Sequence, residues 1–233
     1  MEPVTVVIPT LNEAEAIGVV LRELPRDIVA EMIVADSGST DGTQAIARAA
    51  GGRVIEAGRG YGQACAMGAA AAACDVVVFL DGDGADRGDL IGRIAGPVLA
   101  GTHDFVLASR TDGERDPGSM NWHQVLAGRL AGFGMGALYG VRYSDMCAFR
   151  AIRRDVLARL DMREMTYGWN IEMQMKAARA RLRIIEVPMP YRARIGGQSK
   201  VAGSLRGTVR AGSRIASTFL RVAAAGRAGR ATG

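Results

Sequence analysis

The alternation of strand-like and helix-like segments over the first hundred residues predicts an α/β fold with a mostly parallel central sheet flanked by helices. Short runs rich in Val, Ile and Ala at 4–8, 32–35, 53–56, 76–80 and 105–108 read as buried strands. Between them, segments at 14–24, 43–50, 62–73 and 89–99 carry helical patterns. Nearly every strand runs into a short loop of Gly, Asp, Asn or Ser. These loops therefore share one edge of the sheet, where open α/β sheets hold their ligands.

The sharpest of these junctions is the run Val76-Val77-Val78-Phe79-Leu80, which ends in Asp81-Gly82-Asp83. Two carboxylates one residue apart can share a divalent cation. Taken alone, the triplet reads first as an acidic surface turn. The loop Pro9-Thr10-Leu11-Asn12-Glu13 opens the first helix, and Thr10 or Asn12 is a candidate N-cap. Asp36-Ser37-Gly38-Ser39-Thr40-Asp41-Gly42-Thr43 suits a turn and polar ligand capture equally. Arg59-Gly60-Tyr61-Gly62 is either a plain connection or an anion-favouring helix start.

The later chain is less regular. Residues 112–119 form a Gly/Pro/charge-rich break, 122–139 a Gly-spotted apolar helix, and 145–150 a short strand or turn. A helix over 169–180 precedes a strand at 183–187, which Pro188 and Pro190 end. Residues 191–200 read as a mobile loop. In the last segment Leu205, Val209, Gly212, Ala216, Phe219 and Ala223 recur at helical spacing with Arg206, Arg210 and Arg214 on one flank, predicting a basic amphipathic helix. It suits packing on the domain, on a partner subunit, or on anionic lipid. The chain divides into a domain at 1–200 and this helix and tail at 201–233.

Composition narrows the function classes. The 233 residues are 48% hydrophobic with a net charge of +5, and beyond Arg179 the only acidic residue is Glu186. This asymmetry favours phosphate or anionic lipid as a partner. Aromatic residues make up 5% and are not interleaved with the basic stretch, so nucleic acid is not an expected partner. Three cysteines without metal-ligand spacing suggest reduced thiols in a cytoplasmic protein, and two histidines exclude a His-rich zinc site. No secretory signal and no run of apolar residues long enough to span a bilayer is evident.

Together, Val6-Val7-Ile8-Pro9-Thr10-Leu11-Asn12-Glu13, the loop from Asp36 to Thr43, and Leu80-Asp81-Gly82-Asp83 resemble the inverting family 2 glycosyltransferases of the GT-A fold. Further on, Asp145-Met146-Cys147-Ala148-Phe149-Arg150, Tyr167-Gly168-Trp169-Asn170-Ile171-Glu172, and the stretch from Glu186 to Gly197-Gln198-Ser199-Lys200 resemble the polyprenol-phosphate sugar transferases, the group of dolichyl-phosphate mannose synthase. The resemblance covers about residues 4 to 215.

It implies a metal-dependent enzyme that moves a hexose from a nucleotide-diphosphate sugar to a polyprenyl phosphate. Pro9, Asn12, Glu13 and Asp36 would hold the nucleotide, and Asp81 and Asp83 the ribose side and the metal-bound diphosphate. Arg110, Arg194 and Lys200, with Ser199 beside them, would bind donor or acceptor phosphate, and Asp145 would lie near the acceptor. Asp83, Asp145, Arg110, Arg194 and Lys200 form the implied catalytic set, with Mg2+ or Mn2+ as cofactor. Trp169 and Glu172 would shape a sugar pocket or pack the fold; Arg150 would reach a phosphate or brace the Asp145 loop. The implied location is cytoplasmic, peripheral at the inner membrane face through the C-terminal helix, with self-association left open.

The chemistry is consistent with those roles. A diphosphate leaving group gains negative charge as its bond to sugar breaks, which a hard cation held by carboxylates offsets. A phosphate acceptor is already anionic and needs no strong base, whereas a hydroxyl acceptor would require one, and Asp145 would be the candidate. Two positions depart from the pattern: Ser37 stands where a second Asp is usual, and Ala85 where Gln often follows Asp-x-Asp. They prompt one alternative, a non-catalytic sugar-nucleotide sensor; the other keeps the donor and transfers to a soluble or glycan hydroxyl. Asp86 or water would replace the missing ligand.

Overall fold

A computed structural model describes residues 3–196 and 205–231. Among the described residues, seven strands form one sheet: β1 (Val4–Thr10), β2 (Val29–Asp36), β3 (Arg53–Glu56), β4 (Val76–Phe79), β5 (Phe105–Ser109), β6 (Arg150–Arg153) and β7 (Ile184–Pro188), in the spatial order β3-β2-β1-β4-β6-β5-β7. All neighbours are parallel except β6, which runs antiparallel to both β4 and β5. Eight α-helices among the described residues flank the sheet: α1 (Ala14–Glu23), α2 (Thr43–Ala49), α3 (Tyr61–Ala71), α4 (Ile91–Leu99), α5 (Trp122–Tyr139), α6 (Arg154–Arg159), α7 (Trp169–Arg179) and α8 (Leu205–Ala231).

Strand side chains alternate between faces, so adjacent residues enter separate cores. Val6, Ile8 and Val78 face a cluster completed by Ile17, Leu21, Ile91, Ile94 and Val98 of α1 and α4. Val7, Val77 and Phe79 face the other cluster, with Cys65, Leu157, Trp169 and Met173 from α3, α6 and α7. Covering both faces explains why the central strands read as continuous apolar runs rather than alternating ones. Phe79 and Trp169 meet edge to face at 6.3 Å, and each large side chain removed from water is worth about 2 kcal/mol.

The helix over 122–139 forms over those residues. The segment 145–150 is corrected: the strand is Arg150–Arg153, and α6 follows it unannounced. Its arginines hid it. Arg150 is fully buried, its guanidinium donating to the carbonyls of Cys147, Ala148 and Asn170, so a charged residue occupies a core strand position.

The C-terminal stripe is also corrected. α8 packs on the sheet's helical layer through Ala211, Ile215, Thr218 and Val222, about a quarter turn from the face read in the sequence. Val209 is 62% exposed, and from Val209 to Ala223 only Phe219 and Ala223 of the expected stripe are partly buried. Ion pairs flank that face. Arg214 and Arg221 reach Glu164 at 3.0 and 3.6 Å, and Arg221 reaches Glu172 at 3.5 Å, two carboxylates that are almost wholly buried. No helix among the described residues is long and apolar enough to cross a membrane.

Candidate active site

The carboxyl ends of β1, β2, β4 and β5 deliver four loops to one edge of the sheet. The first two are laced together. The Asn12 amide donates to Ser39 Oγ at 2.8 Å, the Thr40 amide returns to Asn12 Oδ1 at 2.9 Å, and the Glu13 and Ala14 amides donate to Thr43 Oγ1 and Asp41 Oδ2. Neither Thr10 nor Asn12 caps α1; the next loop satisfies its first amides, and Asn12 adopts a left-handed φ of 53° to permit this. Pro9 stays within β1, opposite Ala35.

Asp36 is the hub of the second loop. It is 1% exposed and accepts from the Gly38 and Ser39 amides, Ser39 Oγ, Gln44 Nε2 and Thr10 Oγ1 at 2.5–3.3 Å. Burial pushes its pKa up, but these donors outweigh burial and hold it below the ordinary value. Ser39, which the sequence reading passed over, thus ties Asp36 to Asn12.

The acidic turn after β4 sits in the middle. Tyr61 donates its hydroxyl to Asp81 at 3.2 Å, and the Ala85 amide donates to Asp83 Oδ1 at 3.0 Å. Asp86 lies behind, 7% exposed. Burial, then the charge of Asp83, raises Asp81 to about 7; burial, then the charge of Asp81, raises Asp86 to about 8. A crowd of carboxylates that resists ionisation is a fitting place for a hard cation, and its oxygen donors suit Mg2+ or Mn2+. Among the described residues no group of three or more His, Cys, Asp or Glu is arranged to hold a metal ion, so Asp81 and Asp83 would share it with ligand oxygens.

The residues read as a mobile loop are fastened across this turn as far as residue 196. The Arg192 amide donates to the Ala85 carbonyl at 2.9 Å and the Ile195 amide to the Asp83 carbonyl at 3.0 Å, while the Arg192 guanidinium grips Glu23 at 2.8 and 2.9 Å. Arg194 reaches Glu13 at 3.1 Å and Asp83 at 3.9 Å. Gly84, at φ 76°, lies directly under Ile195, where a Cβ would collide. Ser199 and Lys200 lie outside the described residues, as does the expected domain boundary between 200 and 201.

At the end of β5, Arg110 and Asp145 form a two-pronged pair, and the Tyr191 ring lies 5.1 Å from the Arg110 guanidinium. Burial pushes Asp145 up, but Arg110 and the amides of Arg110 and Met146 hold it below the ordinary carboxylate value. Glu186 braces the same loop through the Ser144 amide at 2.7 Å.

Other readings resolve toward structure. Trp169 is buried against Phe79, and Glu172 accepts the Arg163 and Glu164 amides and pairs with Lys176 at 3.1 Å. Arg150 braces the Cys147 and Ala148 carbonyls beyond Asp145. The start of α3 is covered rather than open. The Gln63 amide donates to the Met165 carbonyl at 2.9 Å, and a Cβ at Gly60 or Gly62 would strike the 164–165 backbone. Tyr61 was missed as an Asp81 partner; its signal was its place between those two glycines.

This sheet, with polar loops gathered over its strand ends, defines the ligand-binding edge of an α/β protein. The Glycosyl transferase family 2 description matches residues 5–161, and the chain belongs to that family. It is 33% identical over 212 residues to an uncharacterized glycosyltransferase of Mycobacterium tuberculosis, covering 89% of this chain and 94% of the relative. It is 36% identical over 200 residues to the dolichyl-phosphate hexose transferase of Haloferax volcanii, covering 84% and 85%. Glucosyl-3-phosphoglycerate synthase from M. tuberculosis, solved with Mn2+, UDP-glucose and phosphoglyceric acid, superimposes with a TM-score of 0.75 at 25% identity, covering 96% of this chain and 80% of that one. The fold is GT-A, and the protein is a glycosyltransferase.

Proposed function

We propose that this enzyme transfers a hexose, with inversion, from a nucleotide-diphosphate sugar to a polyprenyl phosphate. Asp36, Asn12, Glu13 and the end of β1 at Pro9 would frame the nucleotide. Asp81 and Asp83 would hold Mg2+ or Mn2+ against the diphosphate, and such a cation supplies charge neutralisation to the leaving group. Arg110 and Arg194, with Lys200, would bind phosphate on either side of the acidic turn.

One observation carries the acceptor assignment. Asp145 is the carboxylate that a hydroxyl acceptor would need as a base, yet Arg110 occupies both its oxygens and lowers its proton affinity. A poor base suits an acceptor that arrives already ionised. A phosphate monoester is such a nucleophile, and positioning by arginine then replaces proton removal. The dolichyl-phosphate acceptor in the name of the Haloferax relative supports the same choice.

The test incubates the full chain with radiolabelled nucleotide-hexoses, Mn2+ or Mg2+, and either a polyprenyl phosphate in detergent or 3-phosphoglycerate. Label passing into organic solvent only with the polyprenyl phosphate is the expected result. Transfer to 3-phosphoglycerate instead would favour the soluble, phosphorylated acceptor suggested by the structural likeness. Nucleotide binding with no transfer to either would favour a sensor.

A further inference from the structure

The loop between α6 and α7 is held from both sides. On its outer side Glu164, 2% exposed, accepts from Arg214 Nε at 3.0 Å and Thr218 Oγ1 at 3.1 Å, with Arg221 at 3.6 Å, all three on α8. Gly168 leaves no room for a Cβ beside Thr218, so helix and loop meet without a gap. On its inner side the Glu164 and Met165 carbonyls lie against the first turn of α3, where a Cβ at Gly62 or Gly60 would strike them. The Gln63 amide closes this contact by donating to Met165. Tyr61 stands between the two glycines. Its ring packs against the core that contains Phe79 and Trp169, and its hydroxyl lies 3.2 Å from Asp81 Oδ1.

We propose that Tyr61 is a positioning residue for the metal-binding carboxylate of Asp81, set in place by α8 through Glu164. This role rests on the reading of Asp81 as a metal ligand. An unheld Asp81 carboxylate would turn away from the charges of Asp83 and Asp86, whereas a shared cation needs Asp81 and Asp83 turned toward it together. A hydroxyl on a ring that the core immobilises offsets that repulsion and fixes one carboxylate oxygen.

The donor is only as well placed as the first turn of α3, and the backbone of Glu164 and Met165 places that turn. Glu164 is a buried carboxylate, so its position follows the donors and cations that α8 supplies. The clamp lies outside the family-matched residues 5–161, whereas Tyr61 and Asp81 lie inside them, so a late helix acts on the shared site. Were Tyr61 only a core side chain, Asp81 would merely satisfy its hydroxyl, and Phe would serve the site as well.

The test titrates Mn2+ alone into the full chain at neutral pH and reads free Mn2+ by electron paramagnetic resonance. Wild type is compared with Tyr61→Phe, Thr218→Val, the double variant and Asp81→Asn, each checked for folding by circular dichroism melting. Expected is a loss of Mn2+ affinity of about tenfold in Tyr61→Phe and a smaller loss in Thr218→Val. The double variant should bind no more weakly than Tyr61→Phe, because both changes act through one hydroxyl. Thr218→Ser should restore wild-type binding, and exchange of the Gln63 amide hydrogen should quicken in Thr218→Val. Should Thr218→Val fail to fold, Arg214→Met takes its place. Wild-type affinity in folded Tyr61→Phe, with binding lost in Asp81→Asn, would overturn the positioning role and leave the metal reading standing. Additive losses in the double variant would overturn the link through α8. Absence of Mn2+ uptake by wild type, or uptake that Asp81→Asn leaves unchanged, would retire the metal reading of Asp81 and the positioning role with it.

Discussion

Arg110 and Asp145 bind each other through Nε–Oδ2 at 2.6 Å and Nη2–Oδ1 at 2.8 Å, with the Arg110 amide adding a third bond at 3.1 Å. The Asp145 side chain is 2% exposed, so removing it leaves a cation and several amides without their acceptor. Asp145→Ala is expected to cost roughly 3 kcal/mol in urea unfolding. Asp145→Asn should cost less and still lower kcat, because the amide cannot hold Arg110 by both nitrogens. Were Asp145 a catalytic base, wild-type kcat would fall at low pH as the carboxylate is protonated, and the deficit of Asp145→Asn would shrink there. Equal activity of Asp145→Asn and wild type would remove the pair from the mechanism.

Asp83→Ala should lower transfer by about a hundredfold or more while leaving the melting curve nearly unchanged, since Asp83 is half-buried in a turn rather than in the core. A titration with Mn2+ should show weakened metal dependence. Undiminished turnover would end the metal role of this residue.

The acidic cluster makes a pH prediction with a definite sign. Asp81 and Asp86 titrate near 7 and 8 in the folded chain and near 4 when unfolded. An acid whose folded value is raised holds its proton more tightly when folded, so stability is fully present below about pH 4 and declines as pH rises toward 8. The metal-free chain should therefore melt lower at pH 8.5 than at pH 5.5. Mn2+ should restore more at pH 8.5, because the cation replaces the protons. Calorimetry at both values, with and without Mn2+, checks this.

Ser39→Ala removes an acceptor from the Asn12 amide and a donor from Asp36. The expected cost is about 1–2 kcal/mol in stability, with a raised KM for the nucleotide-sugar and a smaller change in kcat. An unaltered KM would detach these two loops from donor binding.

Gly62→Ala would press a methyl group into the Glu164 carbonyl. Roughly 1–3 kcal/mol of destabilisation is expected from thermal melts, with reduced activity because Tyr61 is displaced from Asp81. Retained activity and stability would show that the 164–165 backbone yields freely.

The parallel half of the sheet was legible because strand and helix patterns alternate there and each loop carries its own turn residues. Asp36 and Asp81 could be found at strand ends for the same reason. What stayed hidden depends on contacts between distant segments. Arg150–Arg153 escaped notice as a strand because a buried arginine satisfied by carbonyls looks in sequence like a surface charge. The α8 face was misjudged because two stripes one residue apart both carry helical spacing, and what selects between them, the core beneath Ile215 and Val222 and the carboxylates Glu164 and Glu172 beside Arg214 and Arg221, lies in distant segments. Residues 191–196 read as free because an Arg-rich stretch gives no hint that Glu13, Glu23 and Asp83 await it.

The contact between Arg194 and Glu13 spans 181 positions of the chain. A polypeptide emerging from the ribosome can form β1 to β4 from local pairings long before Arg194 is synthesised. During that interval the acidic turn is open to water and its carboxylates face no arginine from the late segment. The span over the acidic turn is thus one of the last parts of this sheet edge to be completed during synthesis. Chains interrupted before residue 191 would fold much of the sheet yet lack the span across its ligand edge.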